Sequence, residues 1–293
     1  MSISPTSWFS DKVFFVGIFA LLLTLPAQSG KAQWIEAPGN GWVQVSLYHH
    51  DTTNRFDEQR NVEPLFNEDG RSITTSLIVT GVVGVYEGID VWGQLPVHRL
   101  SFNDIAAERE SFGLGDPRFH IRIGPSLFGI SSPIPIAVRG GVKFAIGDFP
   151  IDSEIVPLTE GQRDWELLVE LGQSFYPSPL YAVAWAGYRW REKNEEIERQ
   201  PGNEFFAYAA LGADYDKWIW KLALETQIGE PWVSFTGTRI VLSRSERELF
   251  HVQPSVGMKI GSGVLELGTR IPLAGRNFPA GPAAFLGYFY SWN

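Results

Sequence analysis

The chain has 293 residues, 44% hydrophobic and 14% aromatic, with 30 glycines, no cysteine and a formal net charge of −9. The missing cysteine excludes disulfides, thiolate metal sites and thiol nucleophiles. The acidic balance argues against a nucleic-acid partner.

Val13 to Leu25 is the one sustained apolar run, shorter than the roughly 20 residues a spanning helix needs. With Pro26 and small residues after it, it reads as the core of a signal peptide covering 1–32, cut after Ala32 or Ser29. Removing 1–32 takes Lys12, Lys31 and Asp11 away and moves the charge from −9 to −10, 22 basic against 32 acidic residues. No other stretch is long and apolar enough to span as a helix, so residues 33–293 can cross a membrane only as a barrel.

From residue 41 onward the chain repeats segments of period two, the pattern of a transmembrane antiparallel β-barrel. Twelve strands are expected, near 41–53, 72–86, 89–102, 115–127, 135–147, 163–176, 180–192, 203–215, 218–229, 247–260, 264–273 and 283–292. In 163–175 Trp165, Leu167, Val169 and Leu171 alternate with Asp164, Glu166, Leu168 and Glu170. In 249–260 Phe250, Val252, Val256 and Met258 oppose His251, Gln253, Ser255 and Lys259. Tight connections (Glu87-Gly88, 129–134, 177–179, Asp216-Lys217, 261–263) alternate with long ones (54–71, 103–114, 148–162, 193–202, 230–246, 274–282). Short turns on one side and long loops on the other are the habit of outer-membrane barrels. Val233 to Leu242 could add two short strands in a tall loop, changing the count by two. A soluble sandwich fits less well, because the segments exceed the usual ~5–6 residues of a globular strand. Trp42, Trp165, Tyr176, Trp190, Trp218 and Trp292 near segment ends match interfacial girdles. The fold class is therefore all-β, a barrel of about twelve strands after a signal peptide.

Once the apolar face is turned to lipid, counting back from each turn gives lumen neighbours. Arg122 falls opposite Arg139, Arg118 opposite Lys143, Lys143 opposite Glu166 and Arg139 opposite Glu170, with Glu166 near Arg189 and Arg191. Either these charges pair and fill a small lumen, or part of it stays positive and favours anionic solutes. Tyr181, Val183, Trp185 and Phe206 form an apolar part of the lumen.

The final strand alternates and runs to the penultimate residue, an edge a soluble protein seldom leaves exposed. Phe285, Gly287, Tyr290 and Trp292 resemble the C-terminal assembly signal of bacterial outer-membrane proteins, with Asn293 beyond it as a departure. Ala284, Leu286, Tyr288, Tyr290 and Trp292 should face lipid, and Phe285, Gly287, Phe289 and Ser291 the lumen.

Catalytic patterns are poor. A lipid-modifying hydrolase would need a serine beside a histidine on a lipid-facing rim, and His98 and Ser101 point to opposite strand faces. Adjacent His49, His50 and Asp51 diverge in the same way, so no metal site is assigned. Gly113-Leu114-Gly115-Asp116 reads as a loop entering a strand, not a phosphate loop.

Phe112-Gly113-Leu114-Gly115-Asp116, Val142-Lys143-Phe144-Ala145-Ile146-Gly147-Asp148 and Gly161-Gln162-Arg163-Asp164-Trp165-Glu166 resemble the outer-membrane β-barrel family named for the meta-pathway of phenol degradation. So does Leu171-Gly172-Gln173-Ser174-Phe175, and the resemblance spans roughly 72–292. It implies a channel or transporter in the bacterial outer membrane for small hydrophobic or aromatic solutes, without catalytic residues. The expected partners are outer-membrane lipid, the barrel assembly machinery and an unidentified solute, for a monomer without cofactor. A lipid-modifying hydrolase and a structural barrel with a sealed lumen are the alternatives. Only about eight residues separate the expected cleavage site from the first strand, too few for a large plug.

Overall fold

A computed structural model describes residues 35–65, 70–104, 107–146, 155–236, 239–243 and 246–293. The expected signal peptide lies outside the described residues. Twelve strands form a closed antiparallel ring: β1 Gly41–Thr52, β2 Arg71–Tyr86, β3 Ile89–Asn103, β4 in two pieces (Glu108–Leu114 and Arg118–Ile123), β5 Ile136–Lys143 and β6 Asp164–Ser174, followed by β7 Leu180–Arg191, β8 Glu204–Tyr215, β9 Trp218–Gly229, β10 Glu248–Ile260, β11 Gly263–Arg276 and β12 Ala283–Trp292. Each strand pairs with its sequence neighbours, and β1 pairs with β12 to close the ring. Closure satisfies both edges of the sheet, which a strand-built membrane protein requires.

The period-two pattern decides which side chains face out. Leu167 on β6 and Leu211, Trp220, Leu222, Leu267 and Leu286 are exposed on the outer wall. Asp164, Glu166 and Glu170, one residue out of phase on β6, are buried inside. Trp165 and Trp190 are cross-strand partners at the long-loop end, and Tyr176, Tyr215, Trp218 and Tyr290 are exposed at the short-turn end. Two aromatic belts separated by an apolar band match the two interfaces of a bilayer.

Several boundaries differ from the sequence expectation. The segment 103–114 is not a long loop: Glu108–Leu114 pairs with the upper half of β3, and the strand resumes at Arg118 after a break at 115–117. Pro117 supplies no N–H to the ladder, which is a physical reason for the break. Trp232–Thr236 and Arg239–Ser243 do form two short strands, but they pair with each other, and Trp232–Thr236 with Arg199–Gln200, in a separate sheet that leaves the ring at twelve. Trp42 belongs to the inner face rather than a girdle, its ring 5.4 Å from that of Phe289. At the short-turn end, the Glu36 N–H donates to Asp90, and Ile35 packs buried against Gly124. The described residues just before β1 thus tuck against the barrel mouth.

Candidate functional site: the barrel lumen

The lumen has two unlike walls. The β3–β8 wall carries a lattice of charges. Arg118 is the register partner of Lys143, and Arg122 that of Arg139. Two expected pairings are off by two residues: Lys143 lies opposite Asp164 rather than Glu166, and Arg139 opposite Leu168 rather than Glu170. The pairing of Lys143 with Asp164 centres the connection between residues 153 and 154 rather than near Ile155, and each residue of shift in the centre moves the register by two. Arg139 still reaches Glu170 diagonally at 2.8 Å. Glu166 is the register partner of Arg189, and Asp164 that of Arg191.

Side-chain contacts complete the lattice. Near the short-turn end Arg122 donates to Asp90 at 2.9 Å and to Glu170 at 3.3 Å. In the middle Glu166 accepts from Arg189 at 2.7 Å, meets His120 at 2.8 Å and has Arg118 at 3.9 Å. His120 packs edge-on to Trp92 at 4.6 Å, and the Arg139 guanidinium lies 5.1 Å from the same indole. At the long-loop end Lys143 contacts Asp164 at 2.7 Å and Asp116 at 3.4 Å, and Arg191 bonds Glu204 at 3.1 Å. Asp90 and Asp164 are 0% exposed, whereas the Arg118 side chain keeps 32% of its surface. Buried charges of this kind are tolerated only when paired and hydrogen-bonded.

The next part of the wall is aromatic. Trp185 stacks on its register partner Tyr208 at 5.3 Å and meets Phe206 edge-on at 5.7 Å. Arg189 lies over Phe206 at 5.1 Å, joining the aromatic shelf to the charged lattice. Tyr181 covers Gly212, where a Cβ would come within 2.2 Å of the ring. Below the shelf, toward the short turns, Tyr181, Val183, Ser174, Asp214 and Lys259 line a cavity of about 600 Å³. On the seam, Phe285, Gly287 and Phe289 pair with Tyr48, Ser46 and Gln44. Leu286, Tyr288 and Tyr290 are exposed outward. Trp292 donates its indole N–H to the Gly39 carbonyl at 3.0 Å, anchoring the last turn of the seam.

Sequence reasoning missed a second polar group on β9–β11. Glu225 meets Arg270 and Gln253, each at 2.5 Å, and His251 at 3.1 Å. The alternation placed His251 and Gln253 on the inner face, but the diagonal reach of Arg270 to Glu225 could not be counted from a turn. It also missed Asp116, which accepts from the Thr159 hydroxyl and from the Glu160 N–H at 2.9 Å, docking the loop before β6. Glu160 bonds Lys143 and Arg191 in turn. Although burial opposes its charge, Arg191 and Lys143 hold the Glu160 carboxyl well below its usual range.

Other candidates separate. His49 contacts Thr75 at 2.9 Å, whereas His50 meets the Gly281 carbonyl at 3.0 Å, so the two diverge. Ser76 and His98 stand 2.7 Å apart, but Ser76 is 2% exposed on the inner face, away from any lipid-facing rim.

No protein-family model matches the chain, and no curated protein matches it. Among solved structures, the COG4313 outer membrane channel from Pseudomonas putida F1 is similar in fold, with a TM-score of 0.71 at 14% identity, covering 90% of this chain and 100% of that one. The Ralstonia pickettii toluene transporter TbuX aligns with a TM-score of 0.46 at 9% identity over 94% of each chain. The translocator domain of autotransporter NalP from Neisseria meningitidis also gives 0.46, at 10% identity over 96% of this chain and 98% of that one. The first of these shows the fold alone: the chain and that channel share one barrel fold.

Proposed function

We propose that the chain is a monomeric outer-membrane channel or transporter for small apolar solutes, aromatic ones among them. The observation that carries this reading is the lopsided lumen, a wall-bound charge lattice continued by an aromatic shelf on β7 and β8 above a cavity of about 600 Å³. That volume lies within the range of small-molecule sites. Among the described strand residues, ion pairs join strands adjacent or one apart in the ring, such as Arg122 with Asp90 and Arg118 with Glu166. Charges that lie along the wall do not bridge the lumen, which favours passage over a sealed barrel. The resemblance to the phenol meta-pathway family and the structural likeness to a channel support the same reading.

The apolar exterior and its aromatic belts make outer-membrane lipid the surrounding partner, and the C-terminal pattern makes the barrel assembly machinery the expected chaperone of insertion. Solute-swelling of proteoliposomes across charged, neutral and aromatic compounds, with conductance in planar bilayers, tests the function. Faster swelling with small neutral aromatics than with sugars of similar mass is expected. No conductance together with no solute-dependent swelling would sink the transport reading.

A further inference from the structure

A second cavity, of about 210 Å³, lies on the long-loop side, where Arg191 and Glu160 at the end of the charge lattice form part of its lining. Trp232 from the outer hairpin, Ile197 and Pro201 supply apolar surface, while Arg199, Arg247 and Gln162 supply polar groups. The Arg199 guanidinium lies 4.5 Å from the centre of the Trp232 ring and that of Arg247 5.6 Å from it. Stacking occupies the face of a guanidinium and leaves its in-plane N–H donors free. Among the described residues neither arginine has a carboxylate partner. The neighbouring acids are engaged elsewhere: Glu160 with Lys143 and Arg191, and Glu246 with Arg276 at 3.6 Å. Two guanidinium groups held against one indole, neither with a carboxylate partner among the described residues, suit an oxyanion.

Gln162 adds an independent demand. It is 3% exposed, and its amide nitrogen donates to Asp164 at 3.3 Å. Its Oε1 is buried without a partner. Flipping the amide would set that oxygen against the Asp164 carboxylate, so the orphan acceptor stays. A buried acceptor of this kind needs a donor, and leaving it unmade costs about 1–3 kcal/mol.

We propose that this pocket binds a small single-ring solute carrying a carboxylate and a hydroxyl. The carboxylate meets Arg199 and Arg247, the hydroxyl donates to Gln162, and the ring rests on Ile197 and Pro201. A cavity of about 150 Å³ accepts benzene, so one ring with two small substituents fits. Its use as a first capture point rests on the transport reading, but binding itself requires only the pocket. A folded barrel that binds without conducting would separate the two.

The test is calorimetric titration of the full-length folded barrel in detergent with 3-hydroxybenzoate, whose hydroxyl cannot bond its own carboxylate, and with benzoate, phenol and inorganic phosphate. 3-Hydroxybenzoate should bind best, benzoate a few-fold more weakly, and phenol about tenfold or more weakly, the worth of one charge-assisted contact. Phosphate should not compete. Arg199→Gln and Arg247→Gln should each weaken 3-hydroxybenzoate about tenfold. Gln162→Leu should erase its advantage over benzoate. Each variant must keep the heat-dependent gel shift of the intact barrel. Equal binding of phenol and 3-hydroxybenzoate, unchanged affinity in both arginine variants, or full competition by phosphate would each overturn the proposal.

Discussion

Glu166 on β6 accepts a hydrogen bond from Arg189 on β7 at 2.7 Å while its other oxygen meets His120 on β4 at 2.8 Å. One carboxylate thereby ties strands on both sides of its own. Glu166→Gln removes the charge and keeps the shape, leaving Arg118 and Arg189 with less compensation in a buried setting. Breaking a buried pair from one side costs about 3–5 kcal/mol. The variant should lose its heat-dependent gel shift at lower temperature than the parent. Arg118, the half-exposed member of the lattice, would then carry more uncompensated charge, and the reversal potential in a KCl gradient should move toward anion preference. An unchanged potential in a folded variant would mean that Arg118 does not face the conducting path.

The alternation of β6 and β10 was legible because burial on one face and lipid on the other demand strict period two. The seam was legible too, since the last strand of a barrel has a single partner to find. Where β4 meets β5 the counted register held, because the intervening turn is compact. It slipped between β5 and β6, where the length of the loop conceals how it divides between its two sides. Asp116 was read as part of a glycine-rich entry to a strand. Its role as the anchor for Thr159 and Glu160 is a contact across 43 and 44 residues, which no local pattern encodes.

Glu160 predicts how that anchored loop responds to acid. Burial disfavours its charge, but Arg191 and Lys143 more than offset this and hold its pKa well below the ordinary 4.5. A carboxyl depressed in the folded state contributes stability above its unfolded value, lost as pH falls through the folded one. Amide exchange at 159–162, corrected for intrinsic rates, should therefore be equally protected at pH 7 and pH 5 and rise only well below 4.5. Glu160→Gln should raise exchange there at neutral pH. Loosening of the parent between pH 7 and pH 5 would contradict the assignment.

Gly212 lets Tyr181 lie flat against the wall. A Cβ at this position would come within 2.2 Å of the ring and 2.4 Å of the hydroxyl, at the far end of a side chain that can swing away. Gly212→Ala should therefore fold, with the tyrosine displaced into the cavity it lines. Single-channel conductance should fall, and Gly212→Ala combined with Tyr181→Ala should restore it. Equal conductance in parent and single variant would place Tyr181 away from the constriction.

Pro254 interrupts the ring from within β10. Val252 pairs with Ile271 and Ser255 with Gly268, yet the two positions between have no recorded backbone partner on β11. Those are the pairings that require an N–H from residue 254, which proline lacks. On the β9 side Pro254 stays in register with Leu222, because there the bonds fall to its neighbours. The gap sits beside an outer groove lined by Trp220, Leu222, Val256 and Leu267. Pro254→Val supplies the donor and a β-branched side chain that suits a lipid-facing strand. Closing the ladder should add about 0.5–1.5 kcal/mol, the net worth of one hydrogen bond. The expected outcome is a higher temperature for the gel shift and slower amide exchange at Thr269 and Arg270. Faster exchange in the variant would show that proline's fixed backbone angle, rather than a missing donor, governs this part of the wall.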